Sequence, residues 1–222
     1  MAERAGGYFA VVVAARAATA VAAFSLGAWV VVLQLDGPMD GGLGSPLWFV
    51  GLWMTMTAAM MLPSALPMLL VVSATGGRAT AFAAGYVVAW TAFGGAMYVL
   101  AQAAGGVMPH ATGAALVAAG AYQLTPLKHA CLRRCRSPLA FLHRHARPGV
   151  AGAAYTGAAH GVFCIGCCAG LMIVLFAVGV MSLAWMLVVT AVVLAEKAAP
   201  RGDRLVPATA VALAAAGVWA IL

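Results

Sequence analysis

The sequence predicts an all-α fold, a polytopic transmembrane helical bundle of about seven helices with its N-terminus in the cytoplasm. Three observations carry this. The 222 residues are 65% hydrophobic and 8% charged, with a mean hydropathy of +1.02, whereas about a quarter of the residues in a soluble domain are charged. The apolar residues fall into runs near the roughly 20 residues that a spanning helix needs. The short polar connections between those runs alternate between basic and non-basic.

The expected spans are 11–33, 47–73, 79–104, 108–125, 153–180, 182–197 and 204–222. The first follows Arg4 and resembles a signal peptide, but its apolar run continues well past any cleavage point, which favours a retained signal anchor. The sixth is short, and if the soft break at "GVMSLAW" is bridged the count falls to six. Trp29, Trp48 and Trp185 lie near proposed ends, where interfacial anchors belong. The chain reads as a single helical domain over 1–222, its longest polar stretch being a basic loop at 126–152.

Charge sets the orientation. The connection at 34–46 carries Asp36 and Asp40, those near 105–110 and 181 carry no charge, and that near 74–78 carries Arg78. The 126–152 stretch holds Lys128, Arg133, Arg134, Arg136, Arg144 and Arg147, and the last connection holds Lys197, Arg201 and Arg204. Basic connections collect on the cytoplasmic side. With Arg4 on that side, seven helices place the C-terminus outside. The net charge of +7 therefore reports topology and a lipid bilayer as partner, not nucleic acid.

All five cysteines fall between Cys131 and Cys168. Cys131 and Cys135 are four apart and share a face if helical. In "HGVFCIGCCAGLM", His160, Cys164, Cys168 and Met172 form one i, i+4 ridge about 18 Å long, with Cys167 beside it. The charge map puts both groups near a reducing compartment, which favours metal binding or transient redox work over structural disulfides. Thiolate and thioether donors select Cu(I), zinc or iron–sulfur clusters, and copper is the expected ion, with zinc or iron as alternatives. Lys128, Arg133, Arg134 and Arg136 are expected to lower the nearby thiol pKa values. Cysteine also packs as a small hydrophobe, so the cluster and the shared ridge carry the metal reading rather than any one thiol.

The second span contains "WMTMTAAMMLPSALPM", with Met60 and Met61 near mid-depth. Pro63 and Pro67 remove two backbone donors, and the freed carbonyls need partners such as Ser64 or a lined cavity. Methionine also fills gaps in a bundle, so Met60 and Met61 are auxiliary candidates. His129 neighbours Cys131, while His143 and His145 suit a solvated or headgroup-facing surface. Glu196 either serves function or pairs with Lys197, and Gln123 is placed to hydrogen-bond across helices. No Gly-rich phosphate loop, Ser–His–Asp arrangement or carboxylate pair suggests a hydrolase.

Three segments, "WMTMTAAMMLPSALPM", "AGAYQLTPLKHACLRRCRSP" and the Cys-x-x-Cys-Cys helix through Glu196 and Lys197, together resemble a bacterial family of predicted metal-binding integral membrane proteins. The resemblance runs from the second helix to the end. By position it carries over Met60, Met61, Pro63, Pro67, Tyr122, Gln123, Lys128, Cys131, Cys135, His160, Cys164, Cys167, Cys168, Met172 and Glu196. Where that family often has Trp after the double cysteine and Asn after Met181, this chain has Ala169 and Ser182.

The expected function is soft-metal binding for transfer, storage or delivery, with a metal donor or acceptor protein as partner. The expected ligands are Cys164, Cys167, Cys168, Cys131 and Cys135, with His160, Met60, Met61, Met172 and His129 as auxiliaries. Two other classes stay open. One is a membrane thiol–disulfide redox protein, the only enzyme reading; the other is a structural or assembly subunit whose cysteines only pack.

Overall fold

A computed structural model describes residues 2–34, 44–75, 78–103, 112–178 and 182–222, with side chains of the first helix from Val12 onward. The described residues form helices: α1 (Ala2–Gln34), α2 (Pro46–Met56), α3 (Leu62–Ser64), α4 (Leu66–Ala74), α5 (Ala79–Ala103), α6 (Thr112–Gln123), α7 (Pro126–Cys135), α8 (Pro138–His145), α9 (Gly149–Val178), α10 (Leu183–Ala198) and α11 (Leu205–Ile221). A π-helical turn, Thr57–Met61, joins α2 to α3, and a 3₁₀ turn, Gly202–Arg204, leads into α11. The acidic connection with Asp36 and Asp40, the connection at 105–110 and residues 179–181 of the "GVMSLAW" break lie outside the described residues.

Among the described residues, five helical stretches are long and apolar enough to cross a membrane: Val12–Gln34, Pro46–Ser64, Ala79–Ala103, Gly149–Phe176 and Gly202–Ile221. The other two expected spans are represented by α6, with 12 described residues, and α10, with 16. The described part of each is shorter than the roughly 20 residues of a full crossing.

The largest difference from the sequence reading is at 126–152, which is not a loop. Thr125 caps α7, its Oγ1 accepting from Lys128 N at 3.3 Å, and Pro126 supplies a first-turn residue with no N–H to leave unpaired. Pro138 likewise stands in the first turn of α8, where Ser137 makes no side-chain cap. The basic stretch thus forms two short helices, and Phe141 of α8 is buried against α4 and α5 in a cluster with Met68, Leu69, Val72 and Phe82.

Small residues let the long helices approach closely, which is how helices associate when side-chain hydrophobicity gives no preference between protein and surroundings. On α5, a Cβ at Gly85 would fall on the carbonyl of Ala154 in α9; on α9, a Cβ at Gly157 would fall on the carbonyl of Phe82. One turn further, Gly161 faces Ala89 and the Tyr86 carbonyl. Helices α6 and α11 repeat the device, with Gly113 against the Gly217 carbonyl and Gly120 against that of Ala210.

The second span is broken, as its prolines require. Within the π turn, Leu62 N donates to the Thr57 carbonyl, an i to i−5 bond. That register sets Ala58 opposite Pro63, which has no N–H. The vacancy is filled from α1, where the buried Ser25 Oγ donates to the Ala58 carbonyl at 2.8 Å. Ser64 Oγ donates to the Met61 carbonyl at 2.7 Å, so Ser64 takes part as expected and Ser25 is a further partner. Beside the break, Trp53 Nε1 donates to the Trp90 carbonyl at 2.8 Å, with its ring packed against Phe49, Phe93 and Phe176.

Candidate metal centre

Helix α9 enters the middle of the bundle, so the ridge read from the sequence faces inward along its whole length. His160, Cys164, Cys168 and Met172 are each 3% exposed or less, and Cys167 beside them is 1% exposed. The sulfurs of Cys164, Cys167 and Cys168 all lie within 4.8 Å of one another. Cys167 and Cys168 are 3.4 Å apart, and Cys167 also donates to the Cys164 carbonyl at 3.1 Å. All five cysteines are free thiols.

Helix α7 brings a fourth sulfur. Cys135 Sγ lies 3.8 Å from Cys167 Sγ, and Cys135 is the half-buried member of the cluster. The neighbouring Cys164 sulfur, with burial, holds the Cys135 thiol well above the ordinary cysteine range, against the lowering effect of Cys167. Cys131, one turn back, does not face the same sulfurs. It packs against Gly166 of α9, where an added Cβ would press on its Sγ, and burial pushes its thiol up, outweighing Arg134.

The expectation that the basic stretch lowers nearby thiol pKa values holds only as a minor effect: Arg134 lowers the Cys131 thiol, but burial outweighs it. Lys128, Arg136 and Arg134 have other partners. Lys128 is buried and ion-paired with Glu196 at 2.6 Å, and it also donates to Gln123 Oε1. Gln123 Nε2 in turn donates to Glu196 Oε1 at 3.1 Å, so Gln123 does bond across helices. Arg136 donates to the carbonyls of Glu196 (2.9 Å), Ala199 (2.8 Å) and Pro200 (3.2 Å), closing the C-terminus of α10. Arg134 stacks over the Phe163 ring at 4.5 Å.

Among the described residues, the cation in hydrogen-bond contact with a thiol is Lys197, read in the sequence as a possible mate for Glu196. Lys197 Nζ donates to Cys164 Sγ at 2.9 Å and to Ser64 Oγ at 3.0 Å. Tyr86 of α5 is the second residue the sequence did not single out. Its buried hydroxyl lies 3.0 Å from Cys164 Sγ and 3.3 Å from the Met61 carbonyl. Cys164, Lys197, Ser64, Met61 and Tyr86 thus close a ring that ties the cysteine helix to the break in the second span. The only signal of it in the sequence was a lysine directly after a glutamate at the end of an apolar helix.

The auxiliary candidates divide. Met60, Met61 and Met172 are buried in the same core cluster as Cys164, Cys167 and Cys168, and Met61 is bonded through its carbonyl. His160 sits in an aromatic box, its ring 5.8 Å from Phe82, 5.9 Å from Tyr86 and 5.2 Å from Phe141. Its Nδ1 is buried without a hydrogen-bond partner, which suits a ligand atom, but its nitrogens are not in the tight donor group. His129 is half-buried and His143 exposed. His145 stacks on Phe141 at 4.4 Å.

Fold and site define a class: a bundle of long apolar helices with a buried cluster of soft donors, suited to a thiophilic ion. The family model of PpoB2, described as a copper chaperone, matches residues 50–220, and the chain belongs to that family. The matched stretch contains every motif residue from Met60 to Glu196. Neither a curated protein nor a solved structure matches the chain.

Proposed function

We propose that this protein is an integral copper chaperone of the bacterial plasma membrane, holding Cu(I) at Cys164, Cys167 and Cys168 and passing it to an acceptor protein. The observation that carries the reading is three buried sulfurs of one helix within 4.8 Å of one another, with Cys135 of a second helix 3.8 Å from Cys167. Cu(I) accepts two or three thiolates, and dense sulfur packing favours it over harder cations. Family membership supports copper as the cargo. The membrane setting is supported by five helices of spanning length and composition, and the cytoplasmic N-terminus by the alternation of basic connections.

Transfer, rather than burial of the ion for good, is supported by the graded exposure of the thiols. Cys164, Cys167 and Cys168 are closed off, whereas Cys135 is half-buried at the end of α7. An incoming carrier thiolate meets Cys135 first, and copper passes inward by exchange of one thiolate for the next. His160, Met60, Met61 and Met172 are auxiliary donors in this scheme; Cys131 and His129 lie outside it.

The test is Cu(I) stoichiometry of the purified full chain under reducing conditions, beside Cys164→Ser and Cys168→Ser. About one tightly held Cu(I) per chain in wild type, and its loss in both variants, is expected. Equal, substoichiometric metal in all three would overturn the copper reading.

A further inference from the structure

We infer that Lys197 is the charge-balancing residue of the copper site, its ammonium neutralising the anionic copper–thiolate complex formed at Cys164. The inference rests on the copper reading above and adds a residue to it.

The argument starts from counting charge. Cu(I) carries one positive charge, and each cysteine that binds it releases a proton to solvent. The complex therefore carries one negative charge with two thiolates and two with all three, in a part of the bundle closed to water. A buried, uncompensated anion is costly, and one cation in hydrogen-bond contact offsets that cost. Lys197 Nζ is in such contact with Cys164 Sγ, at 2.9 Å.

The second step is that Lys197 has no other assignment. Glu196 is bound by Lys128 and Gln123, and Asp203 lies 4.0 Å from Arg136; these are the ion pairs among the described residues. The other partner of Lys197 is the Ser64 hydroxyl, a neutral group. Its electrostatic counterpart in the bundle is therefore the cysteine cluster.

The third step is geometric. Neighbouring residues on a helix point about 100° apart, so fixing Glu196 fixes the direction of Lys197. Glu196 is held by Lys128, and the C-terminal carbonyls of α10 are held by Arg136. Gln123, Lys128 and Glu196 thereby lock the end of α10 in the rotation that aims Lys197 at Cys164. The two buried polar clusters are consecutive parts of one device.

The experiment is a Cu(I) competition titration against bicinchoninate, using the full chain in detergent micelles, with circular dichroism and a thermal melt on each variant. Lys197→Met and Lys197→Gln are expected to keep the helical signal and to lose at least about tenfold in Cu(I) affinity. Lys197→Arg, which keeps the charge, is expected to stay within about threefold of wild type. Gln keeps a donor without the charge, so loss in Gln and rescue by Arg is the pattern a merely structural role does not produce. Wild-type affinity in both neutral variants overturns the inference, as does equal loss in Gln and Arg. Should Met fail to fold, the Gln and Arg pair decides alone. Cys164→Ser in the same titration tests the copper reading itself: loss there with no effect at Lys197 leaves copper binding standing and removes only the role of the lysine.

Discussion

The carboxylate of Glu196 lies 2.6 Å from the ammonium of Lys128, with side chains 3% and 0% exposed. A buried ion pair contributes little over an apolar pair of the same shape, but breaking it by removing one partner strands a charge and costs about 3–5 kcal/mol. Lys128→Met and Glu196→Gln are each expected to destabilise the protein by that order in denaturant unfolding from mixed micelles. The double variant Lys128→Met with Glu196→Gln is expected to recover most of the loss. Additive losses in the double variant would show that the pair is not the unit holding α6, α7 and α10 together.

Close backbone contact between α5 and α9 gives a second prediction with its own control on one helix. Gly85 has no room for a methyl group beside the Ala154 carbonyl, whereas a Cβ on Gly95 meets nothing within 4 Å. Gly85→Ala is expected to cost about 1–3 kcal/mol through forced separation of the helices. Gly95→Ala is expected to be neutral or to stabilise by up to about 1 kcal/mol, since alanine is the better helix former. Thermal melts of the two variants side by side decide it, and similar shifts would refute the contact.

The cysteines are not equivalent, and metal stoichiometry separates them. Cys131→Ala is expected to leave Cu(I) binding within about threefold of wild type, since its sulfur faces Gly166 and not the cluster. Cys135→Ser is expected to slow loading from a glutathione–Cu(I) complex more than it lowers equilibrium affinity, as befits the half-buried outer end of an exchange path. Burial also raises the Cys131 thiol. In the metal-free protein, maleimide labelling of Cys131 is therefore expected to become rapid only above the ordinary thiol pKa of about 8.5. Rapid labelling of Cys131 at neutral pH would show that its pocket is open.

That contrast marks where the sequence stopped being readable. Helical periodicity gathered Cys164, Cys168 and Met172 onto one inward ridge, because spacing within a helix is a local property. It also put Cys131 and Cys135 on one face if that stretch is helical. Which of those two meets the ridge depends on how α7 crosses α9, and no local pattern encodes a crossing. Lys197 was missed for the same reason. Its sequence neighbour offered the obvious ion pair, while its actual partners, Ser64 and Cys164, are 133 and 33 residues away. The short helices of the basic stretch were legible in hindsight from Thr125-Pro126 and Ser137-Pro138, but charge density favoured a loop.

The broken second span supplies the last prediction. Ser25 stands in for the N–H that Pro63 lacks, donating to the Ala58 carbonyl at 2.8 Å in a buried setting. Ser25→Ala is expected to cost about 1–3 kcal/mol, the penalty of a buried carbonyl left unpaired. Pro63→Ala restores a backbone N–H to this turn, and a regular helical register then satisfies Ala58 from within the chain. In the Pro63→Ala background the cost of Ser25→Ala is therefore expected to shrink to a few tenths of a kcal/mol. Unfolding of the four proteins in the cycle measures that coupling. Equal costs in both backgrounds would mean that Ser25 does something other than complete the π turn. Because the Met61 carbonyl at the end of this turn is bonded to Tyr86 and Ser64, Pro63→Ala is also expected to weaken Cu(I) binding. The irregular backbone that Ser25 sustains is what holds one side of the ring around Cys164.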